Sequence, residues 1–189
     1  MKNEALINMV QGQLAPNGIQ DQSVLDAFLS VDRGAFLTGV PQASAYIDQS
    51  VLGNDGELLM IRPLAFAMMV QSMASQFDRG SVAIIGAPTG YEAKVLEKLA
   101  FAPVFIADEE SLNQGAPWRA ILICGAVDTM PDYFTQFLHD IGRVYTVVKD
   151  DDYVTGDIIA LNKKGYYDVI GQAGVPYVSV LKSPELFTL

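Results

Sequence analysis

Cysteine, histidine and tryptophan each occur only once in the 189-residue chain, as Cys124, His139 and Trp118. A single cysteine excludes an internal disulfide and any metal site built from several cysteines. Cys124 lies in an apolar run, which favours a buried small side chain over a nucleophile. Any histidine-based catalysis would have to use His139, whose position beside Asp140 at the end of a predicted helix favours a surface residue.

Positive charge and long apolar runs are also scarce. Lysine and arginine number 12 against 22 aspartates and glutamates, for a formal net charge of −10 at pH 7. We therefore expect neither nucleic acid nor a membrane as a partner, because the basic surface that neutralises phosphates is missing. No apolar run approaches the roughly 18–20 residues of a membrane span. The N-terminus lacks the separate apolar stretch of a signal peptide, so we expect a soluble, cytoplasmic protein.

The hydrophobic pattern predicts an α/β fold. Helical spacing predicts helices over Glu4–Leu14, from Asp21 onward, and over Pro63–Gln76. From residue 81, short apolar runs alternate with helices predicted over Tyr91–Ala100 and Pro131–Leu138, which is typical of a parallel, doubly wound sheet. The runs are Ser81–Ile85, Val104–Ala107, Arg119–Cys124 and Arg143–Lys149.

The tail of the chain has a different pattern. Asp157–Asn162, a Lys163-Lys164-Gly165 turn and Tyr166–Ile170 predict an antiparallel hairpin, and Val175–Leu181 predicts a further strand. We divide the chain into an N-terminal helical and substrate-loop region, residues 1–78, and a Rossmann-like core, residues 79–189, within one compact domain. The three aspartates after Lys149 are interpreted as solvated loop residues rather than a metal site.

The glycine loop after the first predicted core strand is the main candidate site. Gly86 and Gly90 precede a helix N-terminus, which presents free N–H groups and a partial positive charge. Asp108 follows the next apolar run, where an acidic residue accepts ribose hydroxyls in nucleoside-binding folds. Two glycines alone are equally compatible with an ordinary strand-to-helix turn.

Several stretches, in order along nearly the whole chain, resemble motifs of the protein-L-isoaspartate O-methyltransferases. The most specific lie in the N-terminal part: Met9-Val10-x-x-Gln13-Leu14, Gly18-Ile19-x-Asp21, Val31-Asp32-Arg33-x-x-Phe36 and Ala45-Tyr46-x-Asp48. The later stretch Gly90-Tyr91-x-Ala93-x-Val95-Leu96 resembles a pattern that methyltransferases share more generally. The resemblance implies a class I S-adenosylmethionine-dependent methyltransferase-like sheet with a C-terminal antiparallel hairpin. It implies S-adenosylmethionine as the cofactor, with Gly86, Gly90, Tyr91 and Asp108 as the residues that bind it. It identifies no catalytic residue and no metal ligand.

Three departures from the family pattern predict weakened function. Ile84 stands where the family has the acidic residue that helps anchor the methionine end of the cofactor, and Pro88 replaces the middle glycine of the loop. Pro88 removes one N–H donor and fixes its φ near −65°. The family's Gly-Gln-Thr-Ile-Ser substrate loop is replaced by Glu57-Leu58-Leu59-Met60-Ile61, which we interpret as core packing, with Arg62 in a surface salt bridge.

The third departure is a deletion, because only residues 108–118 separate the second apolar run from the third. We therefore expect a sheet that lacks one strand and one helix, with Trp118 covering its edge. These features predict a pseudoenzyme with impaired or lost methyl transfer and a protein partner. The alternatives are an active, divergent carboxyl methyltransferase acting on isoaspartyl or other carboxylates, and a pocket adapted to a different small molecule.

Overall fold

The protein is described by a computed structural model that covers residues 3–150 and 155–174. The helices in these ranges are α1 Glu4–Met9, α2 Gln22–Ser30, α3 Pro63–Gln76, α4 Tyr91–Lys98 and α5 Glu109–Gly115. The strands are β1 Val51–Leu52, β2 Leu58–Met60, β3 Gly80–Ile85, β4 Phe101–Phe105, β5 Trp118–Val127, β6 Leu138–Lys149, β7 Thr155–Asn162 and β8 Tyr167–Gly174. No helix in the described ranges combines the length and apolarity needed to cross a bilayer.

The main sheet has six strands in the order β4-β3-β5-β6-β7-β8. Strands β4, β3, β5 and β6 pair in parallel, whereas β7 and β8 are antiparallel to their neighbours. The predicted α/β class, the mostly parallel sheet and the terminal hairpin are therefore confirmed. Alternate strand residues point to opposite faces, and both faces are covered, which explains the continuous apolar runs that identified these strands.

Two hydrophobic clusters lie on the two faces of the sheet. The larger contains Ile84, Leu122 and Tyr145 with α1–α4 packed over them, so residues 3–78 share a core with the sheet. The smaller contains Ile85 and Ile123 together with Leu112 of α5, Trp118 and the phenylalanines of a short 3₁₀ helix, Asp132–Phe137. The chain moves from β3 to β4 on one side and then returns past β3 to β5 on the other. Since both crossovers are right-handed, α4 and α5 lie on opposite faces of the sheet.

The connection from β4 to β5 contains α5 and no strand, so β4 is the edge of the sheet among the described residues. The predicted loss of one strand and one helix agrees with this arrangement. Trp118 is the first residue of the interior strand β5, so the expectation that it covers the edge of the sheet was wrong. It has 1% of its surface exposed, and its Nε1–H donates to the Leu112 carbonyl oxygen at 2.8 Å. The indole therefore packs beneath α5. Pro103 lies at the centre of β4, and the side chains of Val104 and Phe105 are exposed.

Some element predictions were wrong in detail. The stretch predicted as a helix over Pro131–Leu138 forms only the short 3₁₀ helix, after which β6 begins at Leu138 rather than at Arg143. The predicted strand Val104–Ala107 is displaced, because the observed β4 begins at Phe101. The first helix continues past Met9 as a π-helical turn to Leu14. The strand predicted over residues 175–181, together with Asp151 and Asp152, lies outside the described residues.

Candidate active site

The chain reverses its direction of winding at the carboxyl edge of the sheet. From β3 it moves outward to β4, and from β4 it returns past β3 to β5. A crevice outside the carboxyl ends of the strands at such a switch point is where open α/β sheets bind ligands. Gly86 directly follows β3 at this edge, and Cys124 directly follows Ile123, the partner of Ile85. The glycine loop identified in the sequence is therefore at the expected place.

The glycine loop has the conformation that its glycines allow. Gly86 and Gly90 have φ values of 76° and 78°, in the left-handed region that side chains disfavour. Gly90 is the N-cap of α4, and its N–H donates to the Ala87 carbonyl oxygen at 3.3 Å. Ala87 is buried while Pro88 is exposed, so the pyrrolidine ring lies on the solvent side of the loop. The loop thus presents a helix N-terminus beside a residue that has no N–H to offer.

Ile84 has 1% of its surface exposed and belongs to the larger core cluster. Its carbonyl oxygen accepts a hydrogen bond from the Ile106 N–H at 2.9 Å, which fixes the end of β4 beside β3. An apolar side chain at this position is therefore compatible with the packing around it. The site has no carboxylate at residue 84 for a ligand's ammonium group.

Asp108 is the N-cap of α5 at the same edge of the sheet. Its carboxylate accepts a hydrogen bond from the Ser111 N–H at 2.8 Å, and the Ser111 hydroxyl contacts the Asp108 main chain to complete a capping box. The hydrogen bonds from Ser111 lower the pKa of Asp108. The side chain is exposed and ionised at neutral pH, and its second oxygen, Oδ2, is available for a ligand hydroxyl.

The ring of Tyr91 lies in the core, not in the crevice. It is fully buried, with ring centroids of Phe28, Phe36 and Phe66 at 6.4, 5.8 and 6.1 Å. Burial raises the pKa of its hydroxyl well above the usual value. Only its backbone N–H, which also lies 3.4 Å from the Thr89 hydroxyl, remains at the loop. That Tyr91 binds a cofactor therefore stays a prediction, and its backbone N–H is the group at the loop that could make the contact.

Beneath the glycine loop lies a charged pair that the sequence did not reveal. Arg33 and Glu92 are both fully buried. The Arg33 guanidinium carbon is 5.1 Å from the centre of the Tyr91 ring, and its Nη2 donates to the Ile61 carbonyl oxygen at 2.7 Å. Burial raises the pKa of Glu92, although Arg33 acts in the opposite direction. A glutamate in the first turn of a helix is usually an exposed residue that interacts favourably with the helix dipole. The sequence therefore did not indicate that Glu92 is buried.

The segment that replaces the family's substrate loop is a small hairpin packed on the core. Strand β1 pairs with β2, and the side chains of Leu58, Met60 and Ile61 are buried. The turn is closed by a hydrogen bond from the Gly53 N–H to the Glu57 carbonyl oxygen at 2.8 Å. The interpretation of this segment as core packing is confirmed.

The neighbouring polar residues hold this hairpin to α3. The Arg62 guanidinium donates to one Asp48 oxygen through Nε at 2.8 Å and Nη2 at 2.6 Å, while the other oxygen accepts from the Leu64 N–H at 2.9 Å. The predicted salt bridge of Arg62 is thereby confirmed. In the adjacent motif, the Tyr46 hydroxyl donates to Asp32 at 2.6 Å. The contact from the Leu64 N–H fixes main chain, and the others join pairs of side chains.

The remaining sequence candidates are Cys124, His139 and the aspartates that follow Lys149. Cys124 is buried, and desolvation raises the pKa of its thiol well above the usual value, as expected of a packed side chain. His139 lies near the start of β6, at the amino edge of the sheet, rather than at the end of a helix. Asp150 accepts a hydrogen bond from the Thr155 hydroxyl at 2.6 Å. Within residues 3–150 and 155–174, histidine, cysteine and acidic side chains form no group suited to a metal ion.

Comparisons with known proteins agree on one family. The model of the protein-L-isoaspartate(D-aspartate) O-methyltransferase family matches residues 1–108. Protein-L-isoaspartate O-methyltransferases from Herpetosiphon aurantiacus and Vibrio atlanticus are each 29% identical, over 169 and 166 residues. The first alignment covers 75% of this chain and 75% of the relative, and the second covers 74% and 79%.

Two solved structures share the fold. One, from Plasmodium falciparum, is assigned as a protein-L-isoaspartate O-methyltransferase and was crystallised with S-adenosyl-L-homocysteine. It is 16% identical with a TM-score of 0.65, covering 94% of this chain and 97% of that one. The other is a protein-L-isoaspartate O-methyltransferase, 17% identical with a TM-score of 0.64, covering 90% of this chain and 64% of that one. From these matches and the fold, the chain belongs to the protein-L-isoaspartate O-methyltransferase family.

Proposed function

We propose that this family member has impaired or lost methyl transfer and acts by binding a protein partner. The observation that carries the proposal is the hairpin at residues 51–60 and the buried Ile61 that follows it. Where the family has a loop of amide and hydroxyl groups, Leu58, Met60 and Ile61 are turned into the core. None of these three side chains offers a polar group to an isoaspartyl carboxylate.

The cofactor crevice supports the same proposal in part. At the ribose end, the exposed carboxylate of Asp108 and the N-terminus of α4 fit a nucleoside. At the methionine end, Ile84 is buried and apolar, and Pro88 has no N–H, so these residues do not fit an amino-acid zwitterion. Each unpaired polar group on a ligand costs about 1–3 kcal/mol. Two such losses together approach about 4 kcal/mol, which is the difference in binding free energy between micromolar and millimolar affinity.

The test is calorimetric titration of S-adenosylmethionine and S-adenosylhomocysteine into the folded protein, up to millimolar ligand. We expect no saturable binding below about 100 μM, which corresponds to roughly 5.5 kcal/mol. A Herpetosiphon aurantiacus relative purified in parallel is the positive control. Saturable binding at lower concentration would overturn the loss of the cofactor site, and methylation of an isoaspartyl peptide would overturn the proposal as a whole.

The alternative is an active, divergent carboxyl methyltransferase, favoured by the left-handed Gly86 and Gly90 and the exposed Asp108 at the crevice. Methyl transfer from a sulfonium to a carboxylate oxygen needs mainly proximity and alignment, so few catalytic side chains are required. Transfer of radiolabelled methyl from S-adenosylmethionine to a panel of carboxylate peptides distinguishes the two. Labelled product with isoaspartyl or other carboxylate peptides would support this alternative.

A further inference from the structure

The buried polar atoms without a hydrogen-bond partner are concentrated in one place. Of six such side-chain atoms among the described residues, five belong to Arg33, Tyr91 and Glu92. They are Nε and Nη1 of Arg33, the Tyr91 hydroxyl, and both carboxylate oxygens of Glu92. Buried polar groups in proteins are nearly always paired with protein or with ordered water. Arg33 and Tyr91 influence each other's pKa, and the Ile61 N–H lowers that of Glu92, but none of the five atoms has a partner with full hydrogen-bonding geometry. The cluster therefore calls for a common partner.

The three side chains form one enclosed unit. The Arg33 guanidinium packs on the Tyr91 ring, Glu92 is the next residue along α4, and the charges of Arg33 and Glu92 influence each other. The two make no direct ion pair, since the described salt bridges all involve other residues. All three side chains have no exposed surface. The missing partner must therefore be small and must lie inside the protein.

The chemistry of the free atoms favours water over an ion. One positive and one negative side chain leave the site with no net charge, so neither a cation nor an anion gains from entering it. Arg33 supplies two donor nitrogens and Glu92 two acceptor oxygens, and the Tyr91 hydroxyl can donate or accept. A water molecule donates two hydrogen bonds and accepts two, and buried water in proteins makes about three.

We propose that Arg33, Tyr91 and Glu92 enclose an internal hydration site, in which ordered water bridges the guanidinium to the carboxylate. The site holds residue 61 in place from both sides. Arg33 Nη2 donates to the Ile61 carbonyl oxygen at 2.7 Å, and the Ile61 N–H lies close enough to the Glu92 carboxylate to lower its pKa. The site thus links the first turn of α4 to the segment that replaces the family's substrate loop.

The wild-type protein provides the first test. In a high-resolution crystal structure we expect at least one water within hydrogen-bonding distance of both Arg33 and Glu92. In solution we expect magnetisation transfer from a long-lived water to the Ile61 amide. A direct two-point contact between guanidinium and carboxylate with no water between them would overturn the proposal, as would an absence of transfer to Ile61.

Two substitutions at residue 92 give the second test. Glu92→Gln keeps an acceptor oxygen, so we expect the water and its transfer to Ile61 to persist. Glu92→Leu removes both acceptors, so we expect the water signal to be lost and the midpoint of thermal unfolding to fall. Glu97→Leu, on the exposed face of the same helix, is the matched control. If Glu92→Leu does not fold, wild type and Glu92→Gln still decide the matter; equal midpoints for Glu92→Leu and Glu97→Leu would overturn the proposal.

Discussion

The polar framework formed by Arg33, Tyr46 and Asp48 and the glycine loop from Gly86 to Gly90 are stabilised in different ways. In the framework, each residue makes at least one short polar contact that fixes distant main chain or another side chain. The glycine loop is closed by one long backbone hydrogen bond, 3.3 Å, and its central proline faces solvent. Several motifs typical of the family therefore support packing here, whereas the departure at Pro88 lies in the exposed part of the glycine loop. Substitutions in the framework should change stability, and substitutions in the loop should change binding.

The largest effect is expected from Arg33→Met. Removing the guanidinium leaves the Glu92 carboxylate buried without its nearby counter-charge. Removing one partner of a direct buried ion pair costs about 3–5 kcal/mol, which is an upper bound here because Arg33 and Glu92 make no direct ion pair. We expect a corresponding fall in the free energy of unfolding, measured by urea denaturation. The double variant Arg33→Met with Glu92→Leu removes both charges and should recover much of the loss. Equal stability of Arg33→Met and wild type would contradict the framework role.

A smaller loss is expected from Asp48→Ala, which removes the partner of Arg62 and the acceptor for the Leu64 N–H. Hydrogen bonds to a charged group are worth about 1.5–3 kcal/mol each when buried, and Arg62 and Asp48 are partly exposed, so we expect about 2 kcal/mol in total. Asp48→Asn keeps an acceptor and should lose less. If the two variants are equally stable, the carboxylate charge is irrelevant to this contact.

Stability should also depend on pH through Glu92. Burial raises the pKa of this carboxyl above its value of 4.5, although Arg33 opposes the change. Since the folded state holds the Glu92 proton more tightly than the unfolded state, proton binding at Glu92 adds to the free energy of unfolding. This contribution is fully present below pH 4.5 and is lost as pH rises through the folded-state pKa. The buried Tyr91 and Cys124 also face this group, but their pKa values are raised and both remain neutral across that range.

We therefore expect Glu92→Gln to be more stable than wild type at pH 8, with the difference shrinking toward pH 4.5. Thermal unfolding at a series of pH values measures this. A constant difference between the two proteins at all pH values would show that Glu92 does not titrate over this range in the way described.

The smallest effect on stability, and the most informative one on binding, is expected from Pro88→Gly. A proline that fits its loop stabilises the folded protein by about 0.4–1 kcal/mol relative to a flexible residue, so the free energy of unfolding of the variant should fall by no more than that. It restores the N–H donor of the family's loop. We expect tighter binding of S-adenosylhomocysteine, measured by calorimetry, with Pro88→Ala as the control that restores the N–H without glycine's freedom. Unchanged affinity in both would place the obstacle elsewhere, at Ile84.

The sequence predicted the sheet and the place of the loop because both depend on local patterns. Apolar runs gave the strands, and Gly86 and Gly90 marked a turn that needs positive φ. The weak points were elements whose form depends on distant partners. Residues 132–137 have helical spacing, but β6 begins directly after them at Leu138 and leaves room for only a 3₁₀ turn. The buried Glu92 was also missed, since its environment comes from Arg33 and Ile61, which are remote in sequence.

The position of Pro103 has a consequence for how copies of this protein behave beside one another. Among the described residues, β4 is the edge strand of the sheet. The Ile106 N–H points toward β3, so by the two-residue period of a strand the amide positions of residues 101, 103 and 105 point outward along that edge. Residue 103 is proline, so the middle donor of that edge does not exist. An approaching strand from another molecule would find an interrupted ladder there. The shortened sheet thus carries, at its exposed edge, its own protection against edge-to-edge aggregation.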